Sequence, residues 1–215
     1  MRLYYLSPAA YALSNLALQR LKISRLIDLN DPFELLAVDL QNQRYREAFT
    51  NLKQELNTSK GLICFSGSWS NPLLWGHYAE RHTGIALGFD VADHLPVKVI
   101  YKSARVRVNL DTENKTALFD SAFVDRLLRT KFADWKYEEE YRIFADLDHT
   151  TIEAGMYFQD FNSSLRLAEV ILGPKCEIPI DRVRMMLGSI RPIVKVLKAR
   201  MAFRTFRVIE DRSFR

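Results

Sequence analysis

Gly61-Leu62-Ile63-Cys64-Phe65-Ser66 is a short apolar run bounded by glycine and a Ser/Gly-rich loop, the pattern of a strand buried inside a sheet. Shorter runs of the same kind recur along the chain between stretches with helical spacing. Residues 2–7 are the first expected strand, and Ser7-Pro8 opens a helix to about residue 21, with serine as cap and proline at the first helical position. Leu13, Leu16, Ala17 and Leu21 give that helix one apolar face. A short 22–24 segment follows. Asn30-Asp31-Pro32-Phe33-Glu34 is then a turn signal leading into a helical stretch to about residue 56. Asn71 and Pro72 are placed to start a helix over residues 73–79. Strands are expected at 84–90 and, once or twice, within 97–108. Residues 112–132 read as an amphipathic helix, with Leu118, Phe119, Phe123, Leu127 and Leu128 on one face. The strand 169–173 is closed by Gly-Pro, a short helix covers 179–187 with Asp181 in its first turn, and strands at 193–197 and 203–209 complete the order. Repeats, low-complexity tracts and linkers are lacking, so the expectation is a single domain, 1–215, of α+β class with helices early and a largely antiparallel sheet.

The totals narrow the function classes. At 215 residues the chain is within the roughly 100–250 residues that fold around one core. Its 48% apolar and 27% charged residues argue against disorder. No apolar run approaches the ~18 residues of a spanning helix, and the opening residues lack an export pattern, so a water-soluble cytoplasmic protein with no membrane partner is expected. Cys64 and Cys176 have neither CxxC spacing nor histidine pairs nearby, so no disulfide framework and no metal site is expected. The net charge is +5 with a pI near 9.2. Between residues 182 and 207 stand eight Lys or Arg and no acid. Such a stretch is either a face that meets phosphates or a solvated surface on terminal strands.

Three constellations place polar groups where a fold alone does not ask for them. The first is Asn30-Asp31-Pro32-Phe33-Glu34, which local turn bonding accounts for by itself. The second runs from Ser66 to Gly84. On a helix, Leu74, Trp75 and Tyr78 lie together through three- and four-residue spacing, while His77 points elsewhere. Trp75 and Tyr78 are either core or a stacking wall for a flat heteroaromatic ring, with the Ser66 hydroxyl beneath it. The third is Trp135-Lys136-Tyr137-Glu138-Glu139-Glu140-Tyr141-Arg142-Ile143. Three glutamates conflict with the strand preference of the residues after them. In an extended chain Glu138 and Glu140 share a face; an exposed acidic helix turn is the alternative.

Taken in order, NDPFE, then FS with LLWGHYAERHTGIALGFD, then WKYEEEYRIF, then EVILGP, the chain resembles the bacterial family of domain of unknown function 2971, over nearly its whole length from Leu3-Tyr4-Tyr5 to the strand before Pro174. The layout is also similar to ADP-ribosyltransferases, whose sites take one residue from the first strand, a Ser or Tyr near the second and a Glu from a later one. That resemblance implies mixed, largely antiparallel sheets with helices packed on them, and NAD as substrate. It implies Glu140, Glu138 and Ser66 as catalytic residues, and Tyr4, Tyr5, Trp75, His77, Tyr78 and Arg142 as the NAD-binding set. Glu140 would stabilise charge on the ribose, Glu138 would orient or deprotonate the acceptor, and Arg142 or the basic C-terminal stretch would meet the pyrophosphate. The first-strand position departs from the His or Arg of those enzymes. The resemblance further implies a nucleic-acid or protein acceptor, and a toxin-like or phage-defence role with an antitoxin partner. Two rivals stay open: a non-catalytic nucleic-acid-binding module, and a metal-dependent phosphodiesterase using Asp31, Glu34, Glu138 and Glu140.

Overall fold

The computed structural model describes residues 1–33, 36–105, 120–147, 152–188 and 194–214. Its strands are β1 (Arg2–Ser7), β2 (Arg20–Arg25), β3 (Lys60–Ser66), β4 (Ile85–Val91), β5 (Val97–Lys98), β6 (Ile100–Lys102), β7 (Thr130–Phe132), β8 (Glu140–Asp146), β9 (Tyr157–Asp160), β10 (Leu165–Leu172), β11 (Lys195–Met201) and β12 (Val208–Glu210). Its α-helices are α1 (Ala9–Leu18), α2 (Gln43–Ser59), α3 (Pro72–His77), α4 (Ser121–Leu128) and α5 (Ile180–Leu187). Among the described residues one sheet runs β12-β11-β10-β4-β1-β3-β2-β9, with β8 paired to β3 and β5 to β8, while β6 and β7 pair apart from it. Pairing is antiparallel except between β10 and β11 and between β6 and β7. The α+β, largely antiparallel expectation therefore holds.

Side-chain alternation gives the main sheet two faces. Leu3, Ile63, Phe65, Leu87, Phe89, Val170 and Leu172 point to one face, where Ala12 and Leu16 of α1 and Val183 and Leu187 of α5 cover them. The other face carries two separate apolar clusters. One joins Leu62 to Phe49 and Leu56 of α2 and Leu127 and Leu128 of α4. The second joins Ala86, Ile171, Leu197 and Val208 to Trp75 and Ala79 of the α3 region. Between these clusters the same face turns polar, and the site described below lies there.

Several boundaries differ from the sequence expectation. Ser7 ends β1 and caps nothing: Pro8 is the N-cap of α1, with no side-chain cap bond. That helix stops at Leu18 because Gln19 takes a left-handed conformation and its N–H closes on Asn15 O. Leu21, expected on the helix face, instead shares the buried side of β2 with Ile23. The second helix begins at Gln43, where the Asn42 side chain accepts from Arg44 N–H. Strand β9 was not expected, and residues 203–207 form a turn, leaving β12 only three residues. The α3 start is as the sequence implies, with the Asn71 side chain accepting from Leu73 N–H and Pro72 in the first turn. Glu34, the expected strand end at 106–108, Leu118 and Phe119 lie outside the described residues.

The return from α3 to β4 is costly and therefore informative. Glu80, Arg81 and His82 all have positive φ, a conformation that costs non-glycine residues about 1–2 kcal/mol each. It is held by His82 N–H to Trp75 O at 3.1 Å, Gly84 N–H to Ala79 O at 2.8 Å and Lys175 N–H to His82 O at 3.0 Å. Gly84 sits where this return meets β1; a Cβ there would lie 2.3 Å from Ser7 O and 2.8 Å from Ala79 Cα. Both obstacles are backbone, so nothing flexible can yield. Gly84→Ala should lose about 2 kcal/mol or more in urea unfolding, at the upper side of overpacking costs; a loss within about 0.5 kcal/mol would show that the return is not held tightly.

Candidate active site

Strand β3 changes neighbours along one edge. Near its start Leu62 and Gly61 face Ser24 and Arg25 of β2, and at its end Ser66 faces Tyr4 of β1. Along its other edge it pairs fully with β8, setting Cys64 opposite Arg142 and Ser66 opposite Glu140. A cavity of about 220 Å³ opens where β1 and β2 diverge from β3. Its lining includes Tyr4, Tyr5 and Ser66 from the sheet, Tyr78 from the end of α3, and Lys131, Glu138, Glu140 and Arg142.

Four charged side chains are buried together here. Lys131 Nζ donates to Glu138 Oε2 at 2.6 Å and to Glu140 Oε2 at 2.9 Å. Arg142 Nε donates to Glu140 Oε1 at 2.8 Å, and its Nη1 to Leu128 O at 2.6 Å. Lys131, Glu138, Glu140 and Arg142 are all 5% exposed or less. Tyr78 hydroxyl donates to Glu138 Oε1 and accepts from Asn30 Nδ2 at 2.6 Å. Tyr101 hydroxyl accepts from Glu140 N–H at 2.9 Å.

The two glutamates are driven apart in acidity. Burial disfavours the charged form of Glu140, but Arg142 and Lys131 beside it override burial and hold its carboxyl down at about 2. For Glu138 burial wins over the single lysine, and its carboxyl is raised. Burial would lower Lys131, yet the two carboxylates raise it. Burial and the Glu138 charge push the Tyr78 hydroxyl up, and burial lifts Tyr101 to about 12. Burial likewise lifts Cys64 well above the ordinary thiol range, with Glu140 adding to it. The site thus presents a fixed anion beside a carboxyl that takes up a proton more readily, the separation used for acid and base roles in one pocket.

Glu138 and Glu140 do share the cavity, but not by strand alternation. Glu138 ends a 3-10 turn, Ala133–Glu138, and only Glu140 belongs to β8. The residue between them, Glu139, has φ 47°, and this left-handed step turns both neighbours to the same side while Glu139 itself stays exposed. Ser66 Oγ lies 2.6 Å from Glu138 O and 2.7 Å from Ser68 O, so its hydroxyl ties β3 to the glutamate turn and is a positioning group. Tyr4 and Tyr5 reach the cavity; Tyr5 stacks edge-on to Phe65 at 6.1 Å.

Two expected NAD contacts lie elsewhere, and a third is engaged inside the cavity. Trp75 is fully buried against Trp69 with its indole N–H on Trp69 O at 2.6 Å, so it is core and only Tyr78 of the expected aromatic wall remains. His77 is exposed, 6.0 Å from the Tyr137 ring, outside the cavity lining. Arg142 lines the cavity, but it is 1% exposed and its guanidinium is engaged by Glu140 and Leu128 O rather than open to a pyrophosphate. The metal rival needs Glu138 and Glu140, and here Glu138 is paired with Lys131 and Glu140 with both Lys131 and Arg142, so a metal ion would meet two positive charges already beside them. Asp31 accepts from Phe33 N–H at 2.9 Å, and Glu34 lies outside the described residues. Among the described residues no three His, Cys, Asp or Glu side chains converge, and no helix is long and apolar enough to cross a membrane. Lys131 was missed by the sequence reading; its one signal is a cation between Thr130 and Phe132 shortly before the glutamates.

A family model described as Protein of unknown function (DUF2971) matches residues 74–143. That match supports the DUF2971 family for the segment it covers. The DUF2971 match begins inside α3 and ends in β8, and so contains Tyr78, Lys131, Glu138, Glu140 and Arg142; Tyr4, Tyr5 and Ser66 lie before it, within the longer resemblance expected from the sequence. No curated protein and no solved structure matches the chain.

Removing one partner of a buried ion pair leaves the other charge uncompensated, at a cost of about 3–5 kcal/mol. Lys131→Met should therefore destabilise the protein by about 3 kcal/mol in denaturant unfolding. Without Lys131 the Glu138 carboxyl is raised further, and a raised carboxyl stabilises below its unfolded pKa and loses that contribution as pH rises through its folded one. The variant should thus regain part of the deficit between pH 7 and pH 5. Glu140 has the opposite sign: its contribution is complete above the ordinary 4.5 and lost as pH falls toward about 2. Over that acid window wild type should lose melting temperature more steeply than Glu140→Gln. A pH-independent deficit in Lys131→Met would count against the pairing.

Proposed function

We propose that the cavity cleaves the nicotinamide–ribose bond of NAD and passes ADP-ribose to a macromolecular acceptor, with an ADP-ribosyltransferase-like sheet as scaffold. The observation that carries this reading is one row across three adjacent antiparallel strands: Tyr4 of β1 faces Ser66 of β3, and Ser66 faces Glu140 of β8. First-strand residue, serine and late glutamate thereby stand side by side at one cavity. At about 220 Å³ the cavity is smaller than the roughly 300–1,000 Å³ that encloses a drug-sized ligand. It suits the nicotinamide ring and its ribose, with the rest of the dinucleotide lying outside.

In the transfer the C1′–N bond breaks, and its electron pair passes to the ring nitrogen, so the pyridinium leaves as neutral nicotinamide. The sugar is left with oxocarbenium-like positive charge. An acceptor lone pair forms the new bond at C1′, and the acceptor proton passes to a carboxylate. Glu140, anionic at all physiological pH, faces the sugar and accepts from a ribose hydroxyl. Two cations already offset its charge, so Glu138, whose proton affinity is raised, takes the acceptor proton. Tyr78, bonded to Glu138, holds that carboxyl and walls the ring. Such transfer suits a toxin or phage-defence effector that an antitoxin keeps in check.

The test is nicotinamide release from NAD by the full chain with mixed nucleic-acid and protein acceptors. Wild type should release nicotinamide, and Glu138→Gln, with its fold verified by melting, should slow release by roughly 100-fold or more, the size of a general-base contribution. Folded wild type that leaves NAD intact, or a variant as fast as wild type, would reject the reading.

A further inference from the structure

Strands β11 and β12 are joined by a tight turn, with Ala202 N–H on Arg207 O at 2.9 Å. Its tip is Phe203-Arg204-Thr205-Phe206-Arg207, two Phe-Arg pairs on either side of a threonine. Phe203 is 91% and Phe206 98% exposed, although burying such a ring is worth roughly 1.5–3 kcal/mol. Folding alone gives no reason for two phenylalanines at the outermost point of a hairpin. Arg200 lies over the Phe203 ring at 4.4 Å, and Arg204 and Arg207 are exposed. The hairpin is fixed to the body by Val208 N–H on Ser70 O at 2.8 Å.

Beside Phe206 and Arg207 lies a groove of about 370 Å³ lined by Ser68, Ser70, Asn71 and Tyr137, with Pro72, Leu73 and one carboxylate, Glu139, completing it. Tyr137 is the middle of a row of rings. Trp135 and Tyr137 are 6.0 Å apart with planes 36° from parallel, and Tyr137 and His77 are 6.0 Å apart at 32°. His77 in turn neighbours Tyr78 at 6.3 Å, whose hydroxyl reaches Glu138 in the cavity. A continuous path of rings, arginines and hydroxyls thus leads from the hairpin tip to the cavity.

We infer that this path binds single-stranded nucleic acid. Rings that every base can stack on, combined with cations that follow the phosphates, are how proteins hold single strands without reading sequence. A duplex keeps its bases stacked inside and cannot offer them to Tyr137 or Phe206. A membrane surface would use the exposed phenylalanines and arginines but not a polar recess lined by two serines and an asparagine. Binding of this kind is independent of NAD chemistry; should both hold, the strand is the acceptor.

The test is fluorescence anisotropy of the full chain with labelled oligonucleotides, a single strand of mixed sequence and a blunt duplex of equal length, in the absence of NAD. The single strand should bind more tightly than the duplex. Phe203→Ala with Phe206→Ala should weaken it by roughly tenfold or more with the melting temperature little changed, since both rings are almost fully exposed. Arg204→Gln with Arg207→Gln should flatten the dependence of log affinity on log salt by about 0.7 for each phosphate that is no longer neutralised. Absent binding at low salt, equal binding to the duplex, or an unchanged double-alanine variant would overturn the inference. So would a double-alanine effect confined to anionic phosphatidylserine vesicles or to self-association, which would assign the tip to a lipid surface or a second copy. None of these outcomes depends on nicotinamide release.

Discussion

Lys131 lies out of water between two carboxylates, and most of the local architecture answers to that fact. An ammonium buried this deeply is tolerable only if paired and hydrogen-bonded. Glu138 and Glu140 supply the pairing, Arg142 neutralises the second of them, and Leu128 O takes another guanidinium N–H. Bringing both glutamates to one lysine requires Glu139 to adopt a left-handed backbone, a small local cost accepted for the sake of the ion cluster. The apolar clusters on either side, one under α2 and α4 and the other under α3, keep the local dielectric low. In that setting a difference of one cation is enough to separate the two carboxyls, holding Glu140 ionised and making Glu138 basic.

The cavity exists because β3 serves two neighbours on one edge. Here the divergence leaves an opening bordered by Tyr4, Ser66 and the glutamates, and α3 delivers Tyr78 to its rim. The close backbone approach at Gly84 and the left-handed return through Glu80, Arg81 and His82 fix that delivery. The hairpin of β11 and β12 lies on the same side of the molecule as the loop carrying Ser68 and Ser70, so the polar site and the exposed basic tip are mechanically connected through Ser70.

Much of the fold could be read from residue patterns, and the reasons for success and failure are physical. The run from Gly61 to Ser66 could hardly be anything but a buried strand, and Asn71-Pro72 announced a helix start through local bonding alone. Gln19 gave no comparable warning: a non-glycine left-handed cap ended α1 early, and Leu21 fitted a helix face and a strand face equally well. The Glu138 and Glu140 pair was legible as a constellation, though alternation was the wrong reason for it. Arg142 beside Glu140 is an i, i+2 pair on one strand face, so its ion pair was readable where its supposed phosphate role was not. Trp75 and Tyr78 look alike in sequence; which one is core depends on β11 and β12 covering Trp75 from more than a hundred residues away. Lys131 carried almost no signal, because a lone cation in a short segment normally points to water. Phe203 and Phe206 fall within the strand expected at 203–209 and lie instead in the turn before β12.

The separation of the two carboxyls underlies the chemistry assigned to the cavity, and carbon-13 NMR of glutamate-labelled protein, followed through pH, measures it directly. One buried carboxyl, removed by Glu140→Gln, should stay ionised down to about pH 2, while another, removed by Glu138→Gln, should protonate above the ordinary glutamate range. Two buried carboxyls titrating together near 4.5 would contradict the account.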